Sequence, residues 1–184
     1  MKPLSVVLFY LSMSIVALLV AYWRGHLAGW VRFSSLPLDG AIGLGAGVGI
    51  VLLSRLSLKI EAIRRLSAEF SSILAGLTRG QVALFALSSG IGEEALFRGM
   101  LQPELGFVLA TLLFASLHIG PGLRFLWWTA FALLVGAFFG WLAIWRQAIV
   151  APVVAHIVVN YLNLGYLAEQ GTKNGILESR DRGY

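Results

Sequence analysis

The chain predicts an all-α membrane protein, a polytopic helical bundle of about six transmembrane helices with one interfacial amphipathic helix. Three observations predict it. Of 184 residues, 58% are hydrophobic and only 12% charged, about half the charge of a typical soluble domain. The apolar residues come in runs long enough to cross a bilayer. None of the runs alternates polar with apolar, so a barrel is excluded, and helices alone satisfy their backbone groups in lipid. The length suits a single integral membrane domain, 1–184. The chain has no cysteine, which removes disulfide and thiolate chemistry. The net charge of +5 comes from basic residues in the short connections between runs. That is the pattern of membrane loops and not of a nucleic-acid surface.

The six runs are roughly 5–23, 37–54, 80–98, 104–120, 125–145 and 149–168. The first reads as a retained helix. Tyr22, Trp23 and Arg24 follow it, where a signal peptide would show a small-x-small cleavage site. In the second run, Gly43/Gly47 and Gly45/Gly49 are small-xxx-small pairs that permit close helix approach. Between the second and third runs, segment 55–79 mixes Arg55, Lys59, Glu61, Arg64, Arg65 and Glu69 with Leu56, Leu58, Ile60, Ile63 and Leu66. This predicts an amphipathic helix on the membrane surface. In the fifth run, Gly136 and Gly140 read as packing positions, and Trp127, Trp128, Trp141 and Trp145 as interfacial anchors. The tail, 169–184, is polar and expected to fray. His26, beside Arg24 and Gly25, reads as a solvated loop residue.

The chemistry sits in the third, fourth and sixth runs. Glu93 and Glu94 stand side by side inside an apolar segment. A charge at bilayer depth costs roughly 2.5–3.5 kcal/mol on insertion scales, so such residues mark sites. Glu94 and Arg98 are four apart and share a helix face. Glu93 is turned about 100° away and shares its face with Ser89, Gly90 and Phe97. The division predicted is Glu94 with Arg98 as structure and Glu93 free to react. One arginine does not neutralise two buried carboxylates, although an ion-pair network without chemistry is the plain alternative. Phe114 and His118 are four apart, so the ring can fix the imidazole. His156 and Asn160 repeat the spacing. A glutamate base with a histidine partner suits water activation, and a second histidine with an asparagine offers donors to an oxyanion. The same donors could hold zinc through Glu93, His118 and His156, but the chain has no His-Glu-x-x-His helix, so a metal-free site is favoured.

Glu93-Glu94-Ala-Leu-Phe-Arg98, Phe114-Ala-Ser-Leu-His118 and His156-Ile-Val-Val-Asn160, in this order on separate apolar runs, resemble the CAAX-protease and bacteriocin-processing family of intramembrane proteases. Gly99 after the arginine and Ala151-Pro152 before the last histidine add to the likeness, which covers about 85–165. The resemblance implies an endopeptidase acting on a membrane-associated protein or peptide. It implies that Glu93 and His118 activate water and that His156 with Asn160 stabilises the oxyanion. Maturation of a C-terminal anchor or of a leader peptide are both compatible, as is a role in immunity to self-made peptides. The family has been described both as zinc-dependent and as glutamate-dependent without metal. Two other classes stay open. A transporter or proton relay also uses buried Glu and His, but no internal repeat is evident. A non-catalytic membrane scaffold or immunity protein would tolerate loss of Glu93.

Basic residues in short loops set orientation. With a cytoplasmic N-terminus, Lys2, Arg55, Lys59, Arg64, Arg65, Arg79, Arg124, Lys173, Arg180 and Arg182 fall on the cytoplasmic side, and Arg24, Arg32 and Arg146 outside. Both termini are then cytoplasmic. Glu93, Glu94 and His156 fall in the outer halves of their helices, so the site is expected to open near the extracytoplasmic face. Small size and no appended soluble domain point to a prokaryotic inner membrane.

Overall fold

The computed structural model describes residues 3–181. Among these residues there is no strand. Helix α1 spans Pro3–Trp23, and two short 3-10 turns lead to α2, Leu36–Ser57. Helix α3, Glu61–Leu74, is followed by α4, Arg79–Glu94. Helix α4 runs on without a break through a π-helical stretch, Ala95–Leu101, into the short α5, Gln102–Leu105. Helices α6, Phe107–Ser116, α7, Leu126–Arg146, and α8, Val150–Asp181, complete the bundle. The tail expected to fray instead continues α8 to Asp181.

The protein is an integral membrane helical bundle, with fewer full spans than six. Among the described residues four helical stretches are long and apolar enough to cross: Leu4–Trp23, Leu27–Ser57, Leu123–Arg146 and Val150–Ile176. The stretch Arg79–Leu105 is long enough, at about 40 Å. It reaches the required hydropathy only together with α3, from which it bends by 112°. Glu93, Glu94 and Arg98 themselves lower its apolar character. The fourth expected run becomes α6, only 10 residues long, or about 15 Å. Gly106 opens it at φ 81°, and the sequence Gly120-Pro121-Gly122, with Gly122 at φ 103°, prevents its extension. Residues 117–122 are non-helical, and a 3-10 turn, Leu123–Phe125, leads into α7.

Helix α8 is the hub. Gly43 and Gly47 of α2 lie against it so closely that a Cβ on Gly43 would strike the Ala151 carbonyl, and one on Gly47 would strike Val158. Gly45 and Gly49 face open space and are not part of that contact, because a helix presents only one of two pairs offset by two residues. Gly90 of α4 gives way to Ile157 of α8 in the same manner, and this approach brings α4 to His156. Helix α3 is amphipathic as expected, with Leu66, Ser71 and Leu74 buried, and its buried face packs on the far half of α8, where Gly171 leaves room for the Ser71 backbone.

The two ends of the bundle are pinned by different pairs. At one end Arg146 binds Asp39 at 2.5 Å and Ser35 donates to the same carboxylate. Arg24 and His26 both hold Glu104 there, each at 2.6 Å, so His26 is paired and not merely solvated. At the α3 end Arg124 meets Glu69 at 2.9 Å, and Arg55 donates to the Leu162 carbonyl. Thr78 and Gln81 form a capping box that starts α4.

Candidate active site

Every site residue expected from the sequence converges between α4, α6, α7 and α8. Glu94 is fully buried and receives Arg98 Nη1 at 3.1 Å. The π-helical stretch begins one residue after Glu94, and its wider turn delivers Arg98 toward α7. There Arg98 Nη2 donates to the Gly136 carbonyl at 2.7 Å, and its guanidinium lies 4.4 Å from the Phe114 ring centre. Gly136 was legible only as a packing glycine. Its missing side chain is what admits Phe114 and Arg98 together. Trp30 donates to the Gly99 carbonyl at 3.0 Å, satisfying an acceptor of the π-helical stretch.

Helix α6 ends at the site. The Phe114 ring lies 4.7 Å from the His118 ring, and His118 Nδ1 meets the Phe114 carbonyl at 2.9 Å. A carbonyl only accepts, so Nδ1 carries the proton and Nε2 turns its lone pair inward. Thr129 of α7 donates to the His118 carbonyl at 2.9 Å and fixes the turn. On α8, His156 Nδ1 donates to Glu94 Oε1 at 2.8 Å. Asn160, one turn further, donates to Ser89 Oγ at 2.8 Å, and Ser89 passes the bond to the Phe85 carbonyl at 2.7 Å.

Glu93 is the point on which both imidazoles converge. Its Oε2 lies 4.0 Å from His118 Nε2 and 3.9 Å from His156 Nε2. These gaps exceed a direct hydrogen bond and match the span of a shared water. Oε2 is buried without a partner, a costly condition that substrate or water relieves. A cavity of about 30 Å³ adjoins, lined by His118, His156 and Asn160 with Phe114, Phe139 and Trp128. That is room for a water molecule.

Donors of a tetrahedral zinc stand about 3.4 Å apart at its usual bond lengths, closer than the spacings from Glu93 Oε2. Among the described residues no group of three or more His, Cys, Asp or Glu is arranged to hold a metal ion.

Trp128 is not only an interfacial anchor. It is half-buried, 5.5 Å from His118 and 5.3 Å from Phe70 of α3. With Phe131 it walls both the small cavity and a larger one of about 120 Å³ on the α3 side, lined also by Leu58, Leu66, Phe70 and Asn163. No local pattern separates such a tryptophan from its neighbour Trp127.

These features define a membrane-embedded Glu/His/Asn centre braced by a buried Glu–Arg pair. Over residues 74–162 the chain matches the family described as Type II CAAX prenyl endopeptidase Rce1-like, in line with the resemblance its motifs carry to the CAAX-protease and bacteriocin-processing family. A relative lies in the uncharacterized protein YpbD of Bacillus subtilis (strain 168), 32% identical over 82 residues, 43% of this chain and 41% of that protein. The chain therefore spans about two-fifths of the length of the curated relative it matches. No solved structure gives a significant match.

Proposed function

We propose that the chain is an intramembrane endopeptidase that cuts a membrane-associated protein or peptide with water activated by Glu93 and His118. The observation that carries this reading is Glu93 Oε2 set between two imidazole Nε2 atoms at 4.0 and 3.9 Å, with each ring locked through its Nδ1. A water in the gap gives a proton to Glu93 as its oxygen attacks the scissile carbonyl carbon. His118 Nε2 accepts the water's second hydrogen as a hydrogen bond and aims the attack. The carbonyl oxygen becomes an oxyanion, to which His156 Nε2–H and Asn160 Nδ2–H donate. With His156 as imidazolium, the charges of Glu93, Glu94, Arg98 and His156 cancel. Collapse breaks the C–N bond, and the proton held by Glu93 passes to the leaving amine.

The chemistry needs no metal, and we expect purified protein to retain activity in EDTA or 1,10-phenanthroline. Loss of cleavage on chelation, restored by stoichiometric zinc, reverses that expectation.

We further propose that the α3 end faces the cytoplasm, with both termini on that side. Arg55, Lys59, Arg64, Arg65, Arg79 and Arg124 lie there, against Arg24, Arg32 and Arg146 at the other end. The larger cavity beyond Trp128 lies on the α3 side, so substrate access is assigned to that side. This replaces the opening near the extracytoplasmic face that helix depths alone suggest. A cysteine at Ser72, exposed on α3, should resist an impermeant thiol reagent in intact cells, whereas one at Gln147 should react. The reverse pattern overturns the topology. The native chain has no cysteine to interfere.

A further inference from the structure

Asn163 stands one turn beyond Asn160 on α8, so His156, Asn160 and Asn163 follow one another along a single helix face. The first two line the catalytic cavity. Asn163 instead lines the larger cavity of about 120 Å³, with Leu66, Ser67 and Phe70 of α3 and with Trp128 and Phe131 of α7. Trp128 and Phe131 are walls common to both, so the two spaces are neighbours.

The larger cavity is mostly apolar, and its polar wall is out of balance. Asn163 Oδ1 is buried and has no hydrogen-bond partner among the described residues. Its neighbours are provided for. Asn160 donates to Ser89. Arg55, also on the wall, donates to the Leu162 carbonyl and lies 3.9 Å from the Tyr166 ring. A buried acceptor without a donor is destabilising, and leucine, of nearly the same size, would fill the space without that cost. What satisfies Asn163 must bring an N–H together with apolar bulk. A lipid chain brings only the bulk, whereas an extended peptide brings both. Along the helix axis Asn163 lies about 4.5 Å past Asn160 and about 10 Å past His156. That is the reach of two or three residues of extended peptide, at about 3.3 Å each. A space of about 120 Å³ suits a leucine or isoleucine side chain, since a cavity of about 150 Å³ takes benzene.

We propose that this cavity is a substrate-specificity subsite. It seats one branched apolar side chain two or three residues from the scissile bond, while Asn163 Oδ1 accepts a hydrogen bond from a backbone N–H of the same stretch. The role in specificity rests on the endopeptidase reading, whereas peptide binding can be measured apart from cleavage.

The test uses the full chain in proteoliposomes with membrane-anchored peptides randomised beside the anchor, the cut sites being read by mass spectrometry. Wild type should prefer leucine or isoleucine at one fixed position two or three residues from the cut. Ser67→Phe, which puts a ring into the cavity, should shift that position alone to glycine or alanine. Asn163→Leu should raise KM about tenfold, the worth of one good hydrogen bond, at unchanged kcat. It should not lower Tm, because the unpartnered oxygen goes with it. An unchanged preference in Ser67→Phe overturns the proposal, as does a wild-type KM or a lowered Tm in Asn163→Leu, the marks of a purely structural asparagine. Binding is read without turnover on Ser67→Cys combined with Glu93→Gln. A leucine-bearing peptide should slow alkylation of the new thiol by a permeant maleimide about tenfold, and the same peptide with aspartate in place of leucine should not. Alkylation that is already slow in liposomes without peptide, but fast in detergent, assigns the cavity to lipid and also overturns the proposal. If wild type cuts no peptide, the endopeptidase reading falls, and the thiol alone decides the cavity: protection sustains it as a peptide site and its absence removes it.

Discussion

Glu93→Gln should leave the bundle folded and lower proteolysis about 10²–10⁴-fold, the usual cost of removing a positioned base. The amide keeps the size and the packing of the carboxylate but takes no proton from water. His118→Ala should lose cleavage similarly, because Nε2 no longer aims the attack. The measurement is cleavage of a membrane-anchored reporter by purified protein, with monodispersity in detergent as the folding control. Substantial proteolysis by a well-folded Glu93→Gln protein would sink the mechanism. A transporter or a scaffold would show no such dependence of cleavage on Glu93.

Glu94→Ala should act differently, on the fold before the chemistry. Glu94 is 0% exposed and Arg98 4%, and one Glu94 oxygen receives both Arg98 and His156. Removing the carboxylate leaves a guanidinium buried with only the Gly136 carbonyl as a hydrogen-bond acceptor. Breaking one side of such a pair costs about 3–5 kcal/mol. The expected result is a fall in yield and in Tm. Adding Arg98→Met to Glu94→Ala should recover part of the lost stability, since the uncompensated charge goes with it. Activity stays low in the double variant, because His156 has lost its anchor. An unchanged Tm in Glu94→Ala would show that the pair does not support the site.

These two residues show how far sequence spacing reaches. The periodicity of 3.6 residues separates Glu93 from Glu94 and pairs Glu94 with Arg98, and the structure has that pair at 3.1 Å. The same rule sets Phe114 under His118. Asn160 one turn beyond His156 was legible in the same way. Local rules work here because each pair lies on one helix.

Pairs between helices were not legible. His156 with Glu94, Asn160 with Ser89 and Arg98 with Gly136 each join residues far apart in the chain. Each depends on which glycine faces which helix. Gly43 and Gly47 pack on α8 while Gly45 and Gly49 do not, although both pairs have the same spacing.

Composition and run length determined the solvent, the helical class and the membrane setting, because a lipid-facing backbone leaves no other choice. The ionisable residues inside those runs determined where chemistry would be sought, because burying charge is costly unless it is used. Tertiary structure alone decided the number of full spans, since α6 stops at half length and α4 carries the site's own charges. It also decided that Trp128 belongs to the site wall and that the larger cavity lies toward α3. Those outcomes follow from how the glycine faces seat α2, α4 and α1, a choice among helix faces that no single helix encodes.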